Sequence, residues 1–193
     1  MNNCGDSLKE EQDLFHGSGG GSIPTSPLQF KIVKLNPFTA SEYNKKWHSR
    51  LPRIHPSCIT RNTHYICFGA SFNNKCFAVA IWSSPVAQNR FKEGKKILEL
   101  RRLAISSQAP KNTASRMLSV MVKIIKKTFP DINRLISYQD TEVHKGIIYK
   151  ASGWVATTNT PFVSWQPRNQ THNPDQSRAT KIRWELFLTL QKG

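Results

Sequence analysis

A chain of 193 residues has the length of one ordinary domain, with or without a tail, and 38% hydrophobic with 10% aromatic residues exclude a wholly disordered chain. Lys and Arg number 28 against 12 Asp and Glu; a formal net charge of +16 favours a polyanionic partner, nucleic acid first, over a merely solvated basic face. No apolar run nears the ~18 residues of a membrane span, no signal-peptide pattern opens the chain, and Cys4, Cys58, Cys67 and Cys76 fit neither a disulfide scaffold nor a CxxC zinc site. A reduced, intracellular protein without a membrane partner is the expectation.

Residues 1–27 combine the acids Asp6, Glu10, Glu11 and Asp13 with the stretch HGSGGGSIPTSP and show no apolar periodicity. They read as a flexible arm and linker. From Leu28 the pattern becomes globular: LQFKIVKL alternates as a strand with one exposed face, and Thr39 with Glu42 forms a capping-box pair that predicts a helix ending near Arg50, before Pro52. HYICFGA, a turn at Asn73 and Asn74, and KCFAVAIWS read as a β-hairpin. KILELRRLAIS is a further strand, and QAPKNTAS leads into RMLSVMVKIIKKTF, where Met117, Leu118, Met121, Ile124 and Ile125 follow helical spacing until Pro130. RLISYQD is a short strand, HKGIIYKASGW a short helix ending at Gly153, and WVATT to VSW and KIRWELFL are two more strands. The order β-α-β-β-β-α-β-α-β-β predicts an α/β (α+β) domain with a mixed sheet.

The strand–loop–helix junction ELRRLAIS, QAPKNTAS and the long helix is the first candidate site. A helix start presents unpaired N–H groups and the positive end of its dipole, which suit a phosphate. Asn112, Thr113 and Ser115 are small polar groups there, Ser115 also reading as an N-cap hydroxyl, and Lys111 and Arg116 add charge. There is no GxxxxGK[ST] and no GxGxxG after a strand, which disfavours an NTPase or a nicotinamide enzyme.

That junction, the strand ending in SYQD and the helix GIIYKASGW in succession resemble the GNAT superfamily of N-acetyltransferases. In that superfamily the strand before the long helix splays from its neighbour, pantetheine pairs with its edge, and pyrophosphate sits on the helix N-terminus. The resemblance implies one such domain over residues 28–193, a mostly antiparallel twisted sheet flanked by helices. The superfamily loop is usually Gln or Arg, two residues, Gly, one residue, then Gly or Ala, whereas Lys111, Asn112, Thr113, Ala114 and Ser115 supply no glycine. The later pattern is met by Tyr149, Ala151, Gly153 and Trp154. More specifically, LELRRLAISSQAPKNTASRML and LISYQDTEVHKGIIYKASGW, with KKWHSRLP and CFGA, look like the Mom-type DNA-modification proteins of bacteriophages, over roughly residues 28–156. This resemblance implies a methylcarbamoylase-type enzyme of the bacterial host cytoplasm. It would take acetyl-CoA or a related acyl-CoA, add a carbamoylmethyl-type or acyl group to the adenine amine of double-stranded DNA, and protect phage DNA from restriction.

On that reading Arg101, Leu103, Ile105, Lys111, Asn112, Thr113, Ala114, Ser115 and Arg116 form the cofactor side. Arg101 and Arg102, as consecutive strand residues, are expected on opposite faces, one lining the cleft or paired to Glu99 or Asp140. Tyr149 matches the tyrosine that protonates the departing thiolate, with a core tyrosine as the alternative. Asp140 would accept from the adenine amine or simply cap the next helix, and Tyr138 would stack on an extruded base. His144 would bind phosphate or act as a base, or is a loop histidine without a role. His48 is a base, a ligand or a DNA contact, and Trp47 belongs to the core. His55, Cys58 and His64 with His48 match no structural zinc pattern; carbamoylmethylation, which bonds nitrogen to a methylene carbon and adds an amide nitrogen where simple acyl transfer would give an acetamide, leaves room for an iron site, with no ligands assigned. Candidate DNA contacts are Lys45, Lys46, Arg50, Arg53, Arg61, the group Arg90, Lys92, Lys95 and Lys96, and Arg168, Arg178, Lys181 and Arg183. The rival readings are a conventional acetyl-CoA-dependent N-acetyltransferase acting on a protein or small amine, and a non-enzymatic basic DNA-binding protein.

Overall fold

Seven strands hydrogen-bond in the order β1-β2-β3-β4-β5-β7-β6. The computed structural model describes residues 23–48, 51, 53–85, 96–160 and 180–188. The elements are β1 (Lys31–Leu35), α1 (Pro37–Trp47), α2 (Pro56–Thr60), β2 (Tyr65–Phe72), β3 (Lys75–Ser83), β4 (Ile97–Ile105), α3 (Thr113–Thr128), β5 (Arg134–Asp140), α4 (Ile147–Lys150), β6 (Val155–Thr160) and β7 (Lys181–Phe187). Of the expected arm, residues 1–22 lie outside the described residues, while Pro27–Gln29 form a 3-10 turn capped by Ser26. The VSW part of one expected strand also falls outside them.

Asn73 and Asn74 both have positive φ, 46° and 57°, as a two-residue hairpin turn of matching twist requires, and they join β2 to β3. The β4–β5 pair alone is parallel, because α3 intervenes and carries the chain back to the starting edge. The predicted apolar stripe on α3 holds: Met117, Leu118, Met121 and Ile125 are fully buried against the sheet, packing with Phe68, Trp82, Leu98 and Leu135. Trp82 Nε1 donates to Met121 Sδ at 3.3 Å. On the other face α1 and α2 cover a smaller cluster built from Leu35, Ala40, Ile59, Val79, Ile81 and Ala104.

Two local expectations are corrected. The first helix starts at Pro37, not at a Thr39–Glu42 box: Asn36 accepts from Thr39 N at 2.8 Å, and Pro37 takes the first helical position, where its missing N–H costs nothing. It ends at Trp47 rather than near Arg50, and the short α2, unannounced by periodicity, follows. The second correction concerns β4. Ile81 faces Arg102 and Trp82 faces Leu100, so Arg101 is the extra residue of a β-bulge.

Candidate active site

The bulge opens the site. Leu98 and Leu100 lie on the α3 face; beyond Arg101 the alternation resets, so that Leu103, opposite Ala80, is again on that face, while Arg102, opposite Ile81, faces α1 and α2. Arg101 Nη1 donates to the Cys58 carbonyl of α2 at 3.4 Å. Both arginines are therefore on one side of the sheet, against the expectation of opposite faces, because a bulge breaks the two-residue period. Strand pairing between β4 and β5 stops at Leu100 and Ser137, although β4 continues to Ile105 and β5 to Asp140. The two strands splay there.

A cavity of about 780 Å³ fills the splay, within the range of small-molecule sites. Because the sheet is split, the cavity draws side chains from both faces. From the α3 and α4 side come Leu103, Ile105, Ala114, Ser137, Ile148 and Tyr149; from the α1 and α2 side come His48, Glu99, Arg101, Arg102, Tyr138 and Asp140. Tyr138 and Tyr149 thus line one space from opposite faces.

Tyr149 is 4% exposed, stacks on Trp184 at 5.3 Å between ring centroids, and shares a 2.8 Å hydrogen bond between its Oη and Ser137 Oγ. Burial raises its pKa and the Ser137 bond works against that, so at neutral pH the phenol keeps its proton. Its turn is set by Gly146, whose φ of +70° starts α4 and whose N–H donates to His144 Nδ1 at 3.3 Å. Gln139 ties the same turn to the sheet, donating to the His144 carbonyl and accepting from Trp184 Nε1 at 2.8 Å. Asp140 accepts from Glu142 N at 3.0 Å, so it caps the turn after β5 and also lines the cavity.

His48 and His144 both have lowered pKa values, in each case chiefly because burial penalises the charged ring. Arg102 lowers His48 further, whereas Asp140 opposes the shift at His144. Each accepts a backbone N–H at Nδ1, from Leu51 and Gly146 respectively, as a neutral imidazole with its proton on Nε2 does. In the unfolded chain both return toward ~6.5, so below that pH the unfolded state binds more protons than the folded one. Stability is then insensitive to pH just above 7 and falls as the pH drops below about 6.5. Urea unfolding at pH 7.5 and 5.5 checks this: His48→Gln with His144→Gln should flatten the decline, and an unchanged slope would contradict it.

At the start of α3, Asn112 has φ +66°, the left-handed conformation that a loop glycine would otherwise supply and that asparagine tolerates. Asn112 therefore stands as the N-cap, and it makes no side-chain cap bond. Ser115 is not the cap; it sits at the third helical position with its Oγ donating to the Asn112 carbonyl. Thr113 Oγ1 donates to the Pro110 carbonyl, and Lys111 is exposed. Arg116 Nε is buried without a partner among the described residues. Of the expected cofactor residues, Arg101, Leu103, Ile105 and Ala114 line the cavity, while Lys111, Asn112, Thr113, Ser115 and Arg116 surround the helix start beside Ala114.

Among the expected DNA contacts, Lys45 and Lys46 are exposed on the last turn of α1, next to the cavity residues Trp47 and His48, and Lys96 is exposed before β4. Arg53 is held by Glu42 at 2.6 Å and by Ser41 Oγ at 2.9 Å, and Arg183 by Glu185 at 2.6 Å. Arg50, Arg90, Lys92, Lys95, Arg168 and Arg178 lie outside the described residues. Lys181, expected as a DNA contact, lines the cavity; sequence reasoning missed Lys145 and the Trp184 platform, Trp184 being legible only as one apolar position in an alternating strand. Among the described residues no three His, Cys, Asp or Glu side chains converge on one point, so the iron left room for by the chemistry has no ligand set there. Among them also, no helix is long and apolar enough to cross a membrane.

The architecture is that of known acetyltransferases. The ribosomal-protein-S18-alanine N-acetyltransferase of Escherichia coli superposes with a TM-score of 0.58 at 15% identity, covering 84% of this chain and 97% of that one. A GNAT-family acetyltransferase of Streptococcus pneumoniae gives 0.58 at 11% identity, covering 83% and 99%. The aminoglycoside acetyltransferase AAC(6')-Ib in complex with coenzyme A gives 0.56 at 12% identity, covering 82% and 94%. Identities this low speak for the fold. No curated protein matches the chain. The Mom protein family model matches residues 44–186, a span that includes α2, the β4 bulge, the α3 start and the Tyr149 turn. On that match over most of its length, the chain belongs to the Mom protein family.

Proposed function

We propose that this protein transfers the acyl group of an acyl-CoA to the exocyclic amine of adenine in double-stranded DNA: an amide bond forms at that nitrogen as the thioester carbon–sulfur bond breaks, coenzyme A leaves as the thiol, and the modified base shields phage DNA from restriction in the host cytoplasm. The observation that carries this reading is the β4–β5 splay, a cavity that joins a buried phenol on one sheet face to a cation-rich chamber on the other.

The carrier's side is supported by the uncapped first turn of α3, whose free backbone donors and the partnerless Arg116 Nε suit a pyrophosphate. Structural relatives bind such a carrier; one is solved with coenzyme A. Departure of a thiolate requires a proton at sulfur, and the neutral Tyr149 hydroxyl, oriented by Ser137, supports that donation.

The acceptor's side is supported by charge. The cavity is lined by Arg101, Arg102, Lys145 and Lys181 against Glu99 and Asp140. An alkyl amine arrives as an ammonium and is repelled by such a lining, whereas the adenine amine is uncharged and comes on a polyanion. Tyr138 offers a ring for an extruded base, and Asp140 offers an acceptor for an amine proton. Lys45, Lys46 and Lys96 would hold flanking phosphates.

Mass spectrometry of nucleosides from DNA of bacteria expressing the protein tests the proposal. The expected result is a modified deoxyadenosine carrying the added group, absent from vector controls. Unmodified deoxyadenosine at good expression, with acetylated protein or small amines instead, would overturn it in favour of a conventional N-acetyltransferase.

A further inference from the structure

Arg101 and Arg102 are the least explained charges in the cavity. The bulge places both on the α1 and α2 side, and both line the opening. Among the described residues their hydrogen bonds are to backbone carbonyls alone, Arg101 to Cys58 and Arg102 Nη1 to Arg101 at 2.7 Å, and neither has a carboxylate within ion-pair distance there. Arg102 Nε is buried with no acceptor among the described residues. Burial and the neighbouring Arg101 lower the Arg102 guanidinium to about 10, with Glu99 acting in the opposite direction, so at neutral pH it is charged and poorly compensated. A half-buried guanidinium whose nearest carboxylate influence, Glu99, stands beyond ion-pair distance is costly. Planar guanidiniums match oxyanions through paired N–H donors. The pair also lies on the sheet face opposite α3, where the carrier's pyrophosphate is assigned.

We infer that Arg102, supported by Arg101, is a phosphate subsite for the acceptor nucleotide, gripping the phosphate attached to the target deoxyadenosine rather than a phosphate of the carrier. The inference rests on the adenine reading above. It explains why an enzyme would keep a poorly compensated charge in its cleft: a stronger counterion arrives with the substrate and orients it, His48 staying neutral beside it so as not to compete.

Calorimetric titration of the full chain with 2′-deoxyadenosine 5′-phosphate, 2′-deoxyadenosine and acetyl-CoA tests this. The nucleotide should bind wild type ~10-fold or more tightly than the nucleoside. Arg102→Gln should level the two and leave acetyl-CoA affinity within about twofold, as expected for separate sites. Its thermal midpoint should not fall, since an unpaired charge is removed; should it fail to fold, Arg102→Lys, which keeps the charge and loses the fork, should give an intermediate preference. Equal or absent binding of nucleotide and nucleoside to wild type overturns the subsite. So does an Arg102→Gln variant that loses acetyl-CoA and keeps the nucleotide preference, because the phosphate would then be the carrier's. A preserved, Arg102-dependent nucleotide preference in a protein that leaves DNA unmodified would sink the reaction and support the subsite.

Discussion

Tyr149→Phe should cut product formation by about 100-fold or more, the contribution typical of a positioned general acid, while the protein stays folded. The ring remains stacked on Trp184 and packed near Trp154; only the bond to Ser137 is lost. Leaving the buried Ser137 hydroxyl without that partner costs about 1 kcal/mol, too little to unfold a domain of this size. Acetyl-CoA affinity should change little, because the phenol acts on a charge that develops at the sulfur only as the bond breaks. Single-turnover kinetics beside urea unfolding separates the two effects. Wild-type turnover in a folded Tyr149→Phe protein would make the tyrosine a core residue and nothing more.

Gly146→Ala carries the second large effect, on stability. The position has φ +70°, and a Cβ there would collide with Gln139 Oε1 and lie 2.7 Å from Trp184 Cζ2. Neither neighbour is free to yield. Gln139 Oε1 accepts from Trp184 Nε1, and the same side chain holds the His144 carbonyl. Left-handed strain of ~1–2 kcal/mol and overpacking of ~1–3 kcal/mol together amount to roughly 2–5 kcal/mol, enough to lower Tm by about 5–15 °C. Because this turn carries Tyr149, activity should fall before the fold does. A Tm unchanged in Gly146→Ala would show that the glycine is incidental.

Elements with strong local signals were legible in the sequence. The α3 stripe and the Asn73–Asn74 hairpin follow from period and turn chemistry alone, and the order of strands and helices matches apart from α2, which is too short for periodicity to mark. What stayed hidden depends on long-range pairing. That Arg101 is a bulge residue is a property of the β3–β4 register, so the two-residue period put the two arginines on opposite faces when they share one. The partners that hold Arg53 and Arg183, Glu42 and Glu185, are likewise set by tertiary contacts. The loop without glycine was misleading in another way: Asn112 supplies the same left-handed backbone with a different residue.

The claim on which the rest depends is that the β4–β5 splay receives the carrier with its sulfur at Tyr149. A crystal structure with coenzyme A measures this directly. The account predicts pantetheine running along the free edge of residues 101–105, pyrophosphate at the start of α3, and the sulfur within hydrogen-bond reach, about 3–4 Å, of Tyr149 Oη. Coenzyme A bound elsewhere, with the splay empty and Tyr149 remote from the sulfur, would contradict it.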